Sequence, residues 1–501
     1  MENFITLKNN QTIPLQDIPV LAYPEFLELN ISFVKEDANH CVNYYGFPVL
    51  DTIKLICCIA DDVKQKIYVS SSVIKKDRQE PITSFTARKL CFHLFERELH
   101  ENFAIPYYDH PWLKPVRYPI DRPNQENTIA NYPFYQIHSE ELHEVGVGPI
   151  HAGIIEPGHF RFICNGEQIL HLEIQLGYQH RGIENLFISS KKILQRNILA
   201  ESIAGDNVVG HTTAFVQLWE SLIGFRPDNK LVYERTLALE LERLAMHTGD
   251  LSAVCTDIAY QLGGAVFGRL RTPIINFMQH WCGNRLSKGL IRVGESNFPF
   301  TMALANELTQ VLDAYEPDFM EMYKEMKSLP TVLARLEKTG VITQKQAHRV
   351  GLVGMAARAS GLSRDLRSSH PFGLYPGVLH EPVIKNHGDV SSRIQIRKEE
   401  IIQSIIYIRE WLKNIPEQEK QPTVLPMPTA NTFTISLVEG WRGEICHCAV
   451  TDLNGDILHY KIKDPSFHNW LAIALSVRNN EISDFPICNK SFNLSYSGHD
   501  L

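Results

Sequence analysis

Prolines recur at positions 106, 111, 115, 119 and 123, and this run constrains the chain more than any other local feature. Each proline removes a backbone donor and biases its predecessor toward extended structure. No helix or central strand can cross such a stretch. It reads as a docking arm or linker ending in the polar run Asp121-Arg122-Pro123-Asn124-Gln125-Glu126-Asn127, with a domain boundary near residue 130. Two units are therefore expected, 1–125 with its arm and 140–501, in agreement with a length of 501 residues that exceeds one ordinary core.

The two units differ in hydrophobic period. Before the arm, the runs Leu55–Ala60 and Lys66–Ser70 read as strands beside a helix from Thr86 to about Asn102. After it, Asn165-Gly166 is a hairpin-turn signal between Phe160–Ile163 and Ile169–Ile174. Helical spacing then dominates from about 184 to 412. In Tyr233–His247, Leu237, Leu241 and Leu244 make an apolar stripe, and Glu240, Arg243 and His247 a polar one. Residues 432–463 return to strand alternation around Asn454-Gly455. The expected class is α+β: a small N-terminal α+β domain, then a large, mainly helical domain with a strand layer contributed by both its ends.

Composition narrows the function. Lys plus Arg total 49 against 57 Asp plus Glu, a net charge of -8 with no long basic run, so nucleic acid is not an expected partner. The start Met1-Glu2-Asn3-Phe4 lacks the basic and apolar regions of a signal peptide. No run of about 18 uncharged apolar residues is present to span a membrane. A reduced, cytoplasmic setting is expected, with docking onto a membrane partner left open. None of the ten cysteines forms a C-x-x-C pair, which removes zinc-ribbon and ferredoxin-like readings. Cys446 and Cys448, alternating in a strand, would send both sulfurs to one face as reduced core thiols.

Four polar clusters stand out. One runs from Gly146 through His151, Glu156, His159 and Arg161 to Glu184, interleaving titratable groups with glycine. Another is Glu201–Asn207 with His211 one helical turn later, which alone reads as a helix start capped by Asp206 or Asn207. The others are Ala359–Arg367, rich in charge at a glycine turn, and the chain's last stretch, Asn489–Leu501, of a kind usually frayed.

Leu94-Phe95-Glu96-Arg97-Glu98-Leu99 and His110-Pro111-Trp112-Leu113 resemble the signature of the roughly 30 kDa accessory subunit of the complex I and group 4 NiFe-hydrogenase superfamily. From Gly148 on, the chain resembles the 49 kDa subunit, equivalently the hydrogenase large subunit. The matching stretches are Gly148-Pro149-Ile150-His151, Gly177–Glu184, Ala359-Ser360-Gly361 with Asp365-Leu366-Arg367, Gly388-Asp389 with Arg393, Val438–Glu444 and Asp464-Pro465-Ser466-Phe467. Together they imply a fusion of the two subunits, most like the large subunit of energy-converting hydrogenase-related complexes.

The departures are specific. Hydrogenase large subunits hold nickel and iron with two C-x-x-C pairs, because soft thiolates suit those metals. The first pair falls on Ala204 and Asn207, in the stretch Glu201–His211, and the second on Ser495 and Gly498. No thiolate remains, so the resemblance implies neither a NiFe centre nor hydrogen turnover. The quinone site of complex I is altered too. His151 fits the first loop histidine, but Gly153, Ile154 and Ile155 occupy the region of the second, and Ala204-Gly205 stand where an Asp-Tyr pair would be.

Glu156 falls on the glutamate that relays protons in the hydrogenases; the alternative is a structural hydrogen bond to a helix N-terminus. The expected functional set is Glu156, His151, Asp206, Asn207 and His211, around a small polar pocket left by the lost metal, with Arg358, Asp365 and Arg367 holding the cleft's shape as an ion-paired network. The chain would bind no cofactor alone. It would dock on a small iron–sulfur protein holding a 4Fe–4S cluster and on antiporter-type membrane-arm subunits, peripherally on the inner face of the cell membrane. There it would couple electron or proton transfer to cation movement. A quinone-reducing subunit with an altered site and a non-redox coupling subunit are the alternatives.

Overall fold

The computed structural model describes residues 3–151, 155–417 and 425–501. In the first unit, strands Asn39–Val49, Thr52–Asp61 and Lys66–Lys75 form an antiparallel meander, which Ile5–Leu7 and the parallel Val20–Leu21 extend beyond Lys66–Lys75. The period-two alternation of a strand sends Leu55, Cys57 and Ile59 to one face and Ile56, Cys58 and Ala60 to the other. The first face packs under the helices Tyr23–Phe33 and His93–Phe103, and the second joins the core of the large unit. Both faces are covered, which explains the unbroken apolar run.

The expected helix from Thr86 is shorter at its start, beginning at His93. Residues 84–86 turn instead around the buried Glu96 carboxylate, which accepts from the Phe85 amide at 2.7 Å and the Thr86 amide at 3.0 Å. The arm crosses the junction between units as an irregular segment that bends at Asp109 and Tyr118, with Tyr107–Tyr108 paired to Ile82–Thr83.

Beyond the arm, His143–Val147, His159–Asn165 and Gln168–Gln175 form a three-stranded antiparallel sheet that turns at Gly166. The helices Asn229–Asp257, Gln261–Cys282, Met302–Ser328 and Val390–Trp411 make the bulk of the large unit. The strands Thr432–Glu439, Glu444–Thr451 and Ile457–Lys463 form a second sheet, separate from the first, so the strand layer has two parts. Its edge is completed by Thr12–Pro14 from the far end of the chain, with Phe433 opposite Ile13. The two units thus share a sheet as well as a core.

Cys446 and Cys448 do share a face, their sulfurs 3.7 Å apart and fully buried, with Asn43 donating to both. The last residues are not frayed. The helix Tyr496–Asp500 is buried, and the Asp500 carboxylate accepts from the amides of Gly177 and Gln179, both at 2.9 Å.

Candidate functional site

Two segments distant in sequence meet here. The turn Glu201–Asn207 leads into the helix Val208–Leu222, and Asn493–Gly498 leads into the last helix. Arg181 joins them, since one guanidinium nitrogen donates to the carbonyls of Ile203 at 3.0 Å and Ser497 at 3.1 Å. Arg442 joins them again. It pairs through two nitrogens with the Asp206 carboxylate and donates through Nε to the Asn493 carbonyl at 2.5 Å. The buried arginine beside the half-exposed aspartate is a bidentate, charge-assisted contact.

Asn207 occupies the N-cap position of Val208–Leu222, yet its side chain does not cap. The Glu242 carboxylate does so instead, accepting from the Val209 amide at 2.8 Å and the Gly210 amide at 3.1 Å. The Asn207 amide is turned toward Gly210 and Gly440, where a Cβ on either would lie 2.5 and 3.0 Å from its oxygen. Neither polar atom of that side chain has a hydrogen-bond partner among the described residues. Burial pushes the Glu242 carboxyl up to about 8 against the pull of those two amides, so the cap is a neutral acid at pH 7.

His211 lies one turn into the same helix, fully buried. Its Nε2 is 2.9 Å from the Asp464 carboxylate and its Nδ1 3.1 Å from Nε2 of His447, whose Nδ1 is 2.8 Å from the Tyr460 hydroxyl. Burial works to raise Asp464, but the His211 hydrogen bond and the charges of His211 and Arg442 hold it below the usual carboxylate range. Burial, then the charge of His211, pushes His447 well below the ordinary imidazole value. Asp464 also fills the space at Gly498, where an added Cβ would sit 2.8 Å from its oxygen. The Ser495 hydroxyl is turned inward along its own helix, accepting from the Gly498 amide at 2.8 Å.

A NiFe centre does not fit this donor set. Ala204 and Gly498 carry no ligand atom, the Ser495 hydroxyl is occupied as a helix cap, and Asn207 offers only a neutral amide. Among the described residues, no group of three or more His, Cys, Asp or Glu is placed to hold a metal ion.

Glu156 and His151 sit on the outer side of the same C-terminal segment. Glu156 is partly exposed and accepts from the Tyr496 amide at 3.2 Å, the first residue of the last helix. His151 Nε2 lies 2.8 Å from the Gly158 carbonyl. Gly153 and Ile154 lie outside the described residues. The structure thus ties Glu156 to 493–498 directly, Asp206 through Arg442 and His211 through Asp464, whereas the Asn207 side chain faces Gly210 and Gly440. His151 reaches it indirectly, through Gly158, whose Cβ would meet the Tyr496 ring at 2.6 Å, and through the Phe160 ring, which packs on both His151 and Tyr496.

Sequence reasoning missed Glu242, Asp464 and His447 as members of the site. Asp464 stood inside a matching stretch, and His447 between two cysteines, but neither carries a local sign of a partner more than 200 positions away. Arg358, Asp365 and Arg367 are fully buried with Glu240, Arg243, His247, Glu400 and Glu439 in one charged network. The polar stripe on Tyr233–His247 is therefore interior.

The comparisons show the chain to be similar to subunits of the complex I and group 4 NiFe-hydrogenase superfamily. Residues 265–434 match the family "Respiratory-chain NADH dehydrogenase, 49 Kd subunit". Over 76% of its length the chain is 24% identical to hydrogenase-4 component G of Escherichia coli, and the match spans 65% of that relative. Formate hydrogenlyase subunit 5 of the same organism is 27% identical over 76% of this chain and 67% of its own length. The C/D polypeptide of the NADH-quinone oxidoreductase of Phocaeicola vulgatus is 25% identical over 84% of this chain and 87% of its own.

Proposed function

We propose that the chain is a peripheral subunit of a membrane-bound, complex I-like or hydrogenase-related oxidoreductase and that it works without a NiFe centre. It would dock on a small iron–sulfur subunit and on membrane-arm subunits, coupling electron or proton transfer near the 201–211 and 493–498 segments to cation movement. The observation that carries this reading is the donor set itself. In a chain similar to subunits of such complexes, arginine bridges and the His211–Asp464 pair tie the two segments together, while the positions that the resemblance assigns to the four thiolates hold Ala204, Asn207, Ser495 and Gly498. Among the described residues, no helix is long and apolar enough to cross a membrane.

The chemistry available is proton handling. Asp464, His211, His447 and Tyr460 form a buried chain of hydrogen-bonding groups. With Asp464 ionised, His211 donates through Nε2, accepts from His447 at Nδ1, and His447 accepts from Tyr460. A proton added at His211 Nδ1 reverses the two remaining bonds. Such a chain moves a proton by changing tautomers, with no displacement of heavy atoms. Glu242, neutral near pH 7, lies under the same turn.

A second reading, a coupling subunit without redox turnover, is favoured by the Glu156 contact, because that carboxylate serves the N-terminus of the last helix. Purifying the intact complex from membranes and measuring dye, quinone and hydrogen turnover beside its nickel content separates these readings. Under the first, nickel is far below one per chain, hydrogen turnover is absent, and Glu156→Gln and Asp206→Ala lower dye or quinone reduction in assembled complex. Turnover unchanged in both variants with assembly impaired supports the coupling role. Stoichiometric nickel overturns both.

A further inference from the structure

A cavity of about 610 Å³ opens between the two units, behind the C-terminal segment. Its walls come from the helix His93–Phe103, the proline arm, the strand Gln168–Gln175 and the helix Pro465–Ser476. The volume lies within the range of pockets that enclose small organic ligands, and a junction between units is a common place for one. Trp112, Tyr132, Ile174, Trp470 and Leu471 give it an apolar and aromatic lining.

Its polar groups are unbalanced. Arg97, Lys114 and Arg478 bring three cations to the lining against Glu173, whose carboxylate is already engaged by Lys114 and by the Tyr135 amide at 2.8 Å. Arg97 is buried, at 8% exposure, and spends two donors on the carbonyls of Lys114 and Pro115, both at 2.7 Å. No carboxylate lies within ion-pair distance of it among the described residues, nor of Arg478. A guanidinium taken out of water with no counter-charge costs free energy that an anion would return. Beside it His93, at 3% exposure, has an Nδ1 with no hydrogen-bond partner among the described residues. Burial, then the charge of Arg97, pushes this imidazole well below its ordinary value, so Arg97 remains the buried cation of the pair.

We infer that this cavity is a binding site for a small amphipathic anion, an acidic headgroup carried on an aromatic or aliphatic body. The headgroup lies against Arg97 and His93, Arg478 draws it in from the solvent side, and the body rests on Trp112, Trp470 and Leu471. The occupant would touch Trp470 and His499, neighbours of Ser495 and Asp500, so it would sit behind the C-terminal segment without entering the turn at Asn207. These contacts carry the assignment independently of the proposed function.

The test uses the full chain and two fluorescent probes of similar body, the anionic 8-anilinonaphthalene-1-sulfonate and the neutral N-phenyl-1-naphthylamine. The expected result is one saturable site per chain for the anion by calorimetry. Dodecanoate should compete for it, and the neutral probe should bind at least ten-fold more weakly. Arg97→Met is expected to weaken the anion ten-fold or more. Arg478→Ala, at an exposed position that leaves the fold intact, weakens it several-fold and leaves the neutral probe unchanged. Equal binding of the two probes, many weak sites, no binding, or anion affinity unaltered in Arg478→Ala and in folded Arg97→Met would each overturn it.

Discussion

The Glu98 carboxylate of the first unit accepts from the Lys461 ammonium of the second at 2.5 Å, with both side chains buried. The same carboxylate pairs with Arg117 at the end of the arm, so one acid holds helix, arm and C-terminal sheet together. Its neighbours divide the remaining work, Glu96 closing the 84–86 turn and Arg97 holding the arm's carbonyls. The signature Glu96-Arg97-Glu98 is in this chain a junction.

Removing Glu98 should therefore cost more than removing Lys461. Glu98→Ala leaves the buried Arg117 without its carboxylate and Lys461 with Glu184 alone, for an expected loss of about 3–5 kcal/mol. Lys461→Met leaves Glu98 with Arg117 and should cost clearly less. Burial works to raise Glu98, but Lys461 and Arg117 hold it below its ordinary value. Its stabilisation is then present above the ordinary carboxylate pKa and is lost as pH falls through the lowered one. Urea unfolding at pH 7 and pH 4 checks both points; equal losses for the two variants would remove the junction role.

Glu242 has the opposite sign. With the folded carboxyl at about 8 and the unfolded one near its ordinary 4.5, the folded chain binds the extra proton between those values. Stability from this group falls as pH rises through that window, at up to about 1.4 kcal/mol per pH unit. Glu242→Gln keeps an acceptor for the helix amides and should flatten the slope between pH 5 and pH 8. An unchanged slope would mean that the acid is ionised in the fold.

Much of this architecture was legible locally. The Asn165-Gly166 hairpin, the Cys446/Cys448 face and the helix through Leu237, Leu241 and Leu244 follow from period and turn chemistry alone. The two-unit division, read from prolines, did not show that Thr12–Pro14 crosses over to pair with Thr432–Thr434. A three-residue edge strand carries no periodic signal, and its partner lies at the other end of the sequence. The stripe of Glu240, Arg243 and His247 read as polar, with nothing local to show that it is buried. Its counter-charges arrive from Arg358, Arg367 and Glu400, residues no local window contains. The His211–Asp464 pair, 253 positions apart, is of that kind too.

The cysteines should be silent. All are free, and all except Cys91 are buried. Burial pushes even the Cys91 thiol up to about 12, far from the thiolate that reacts. Ellman's reagent at pH 8 should titrate fewer than one thiol per native chain within minutes and all ten in guanidinium. Rapid reaction of two or more would show that the sheet beneath Cys446 and Cys448 opens.

Two glutamates of the buried network should respond differently to the same change. Glu400 accepts from Arg367 at 2.9 Å, lies 2.7 Å from His247 and also pairs with Arg358. Burial favours its neutral form, but Arg358 and Arg367 hold its carboxyl well below the ordinary range. Glu439 accepts from Arg358 at 2.8 Å, while burial, then the charge of Asp365, pushes it up to about 7. Glu400→Gln removes a charge that Arg243, Arg358 and Arg367 share and should cost about 3–5 kcal/mol. Glu439→Gln replaces a group already largely neutral at pH 6 and should cost no more than about 1.5 kcal/mol there. Above pH 7 the native Glu439 ionises, and the stability it confers through its bound proton declines, so the gap between Glu439→Gln and the parent should narrow. Paired denaturation curves at pH 6 and pH 8 decide it. Equal, large losses for both variants at pH 6 would mean that Glu439 carries a full charge and that the network holds one more anion than proposed.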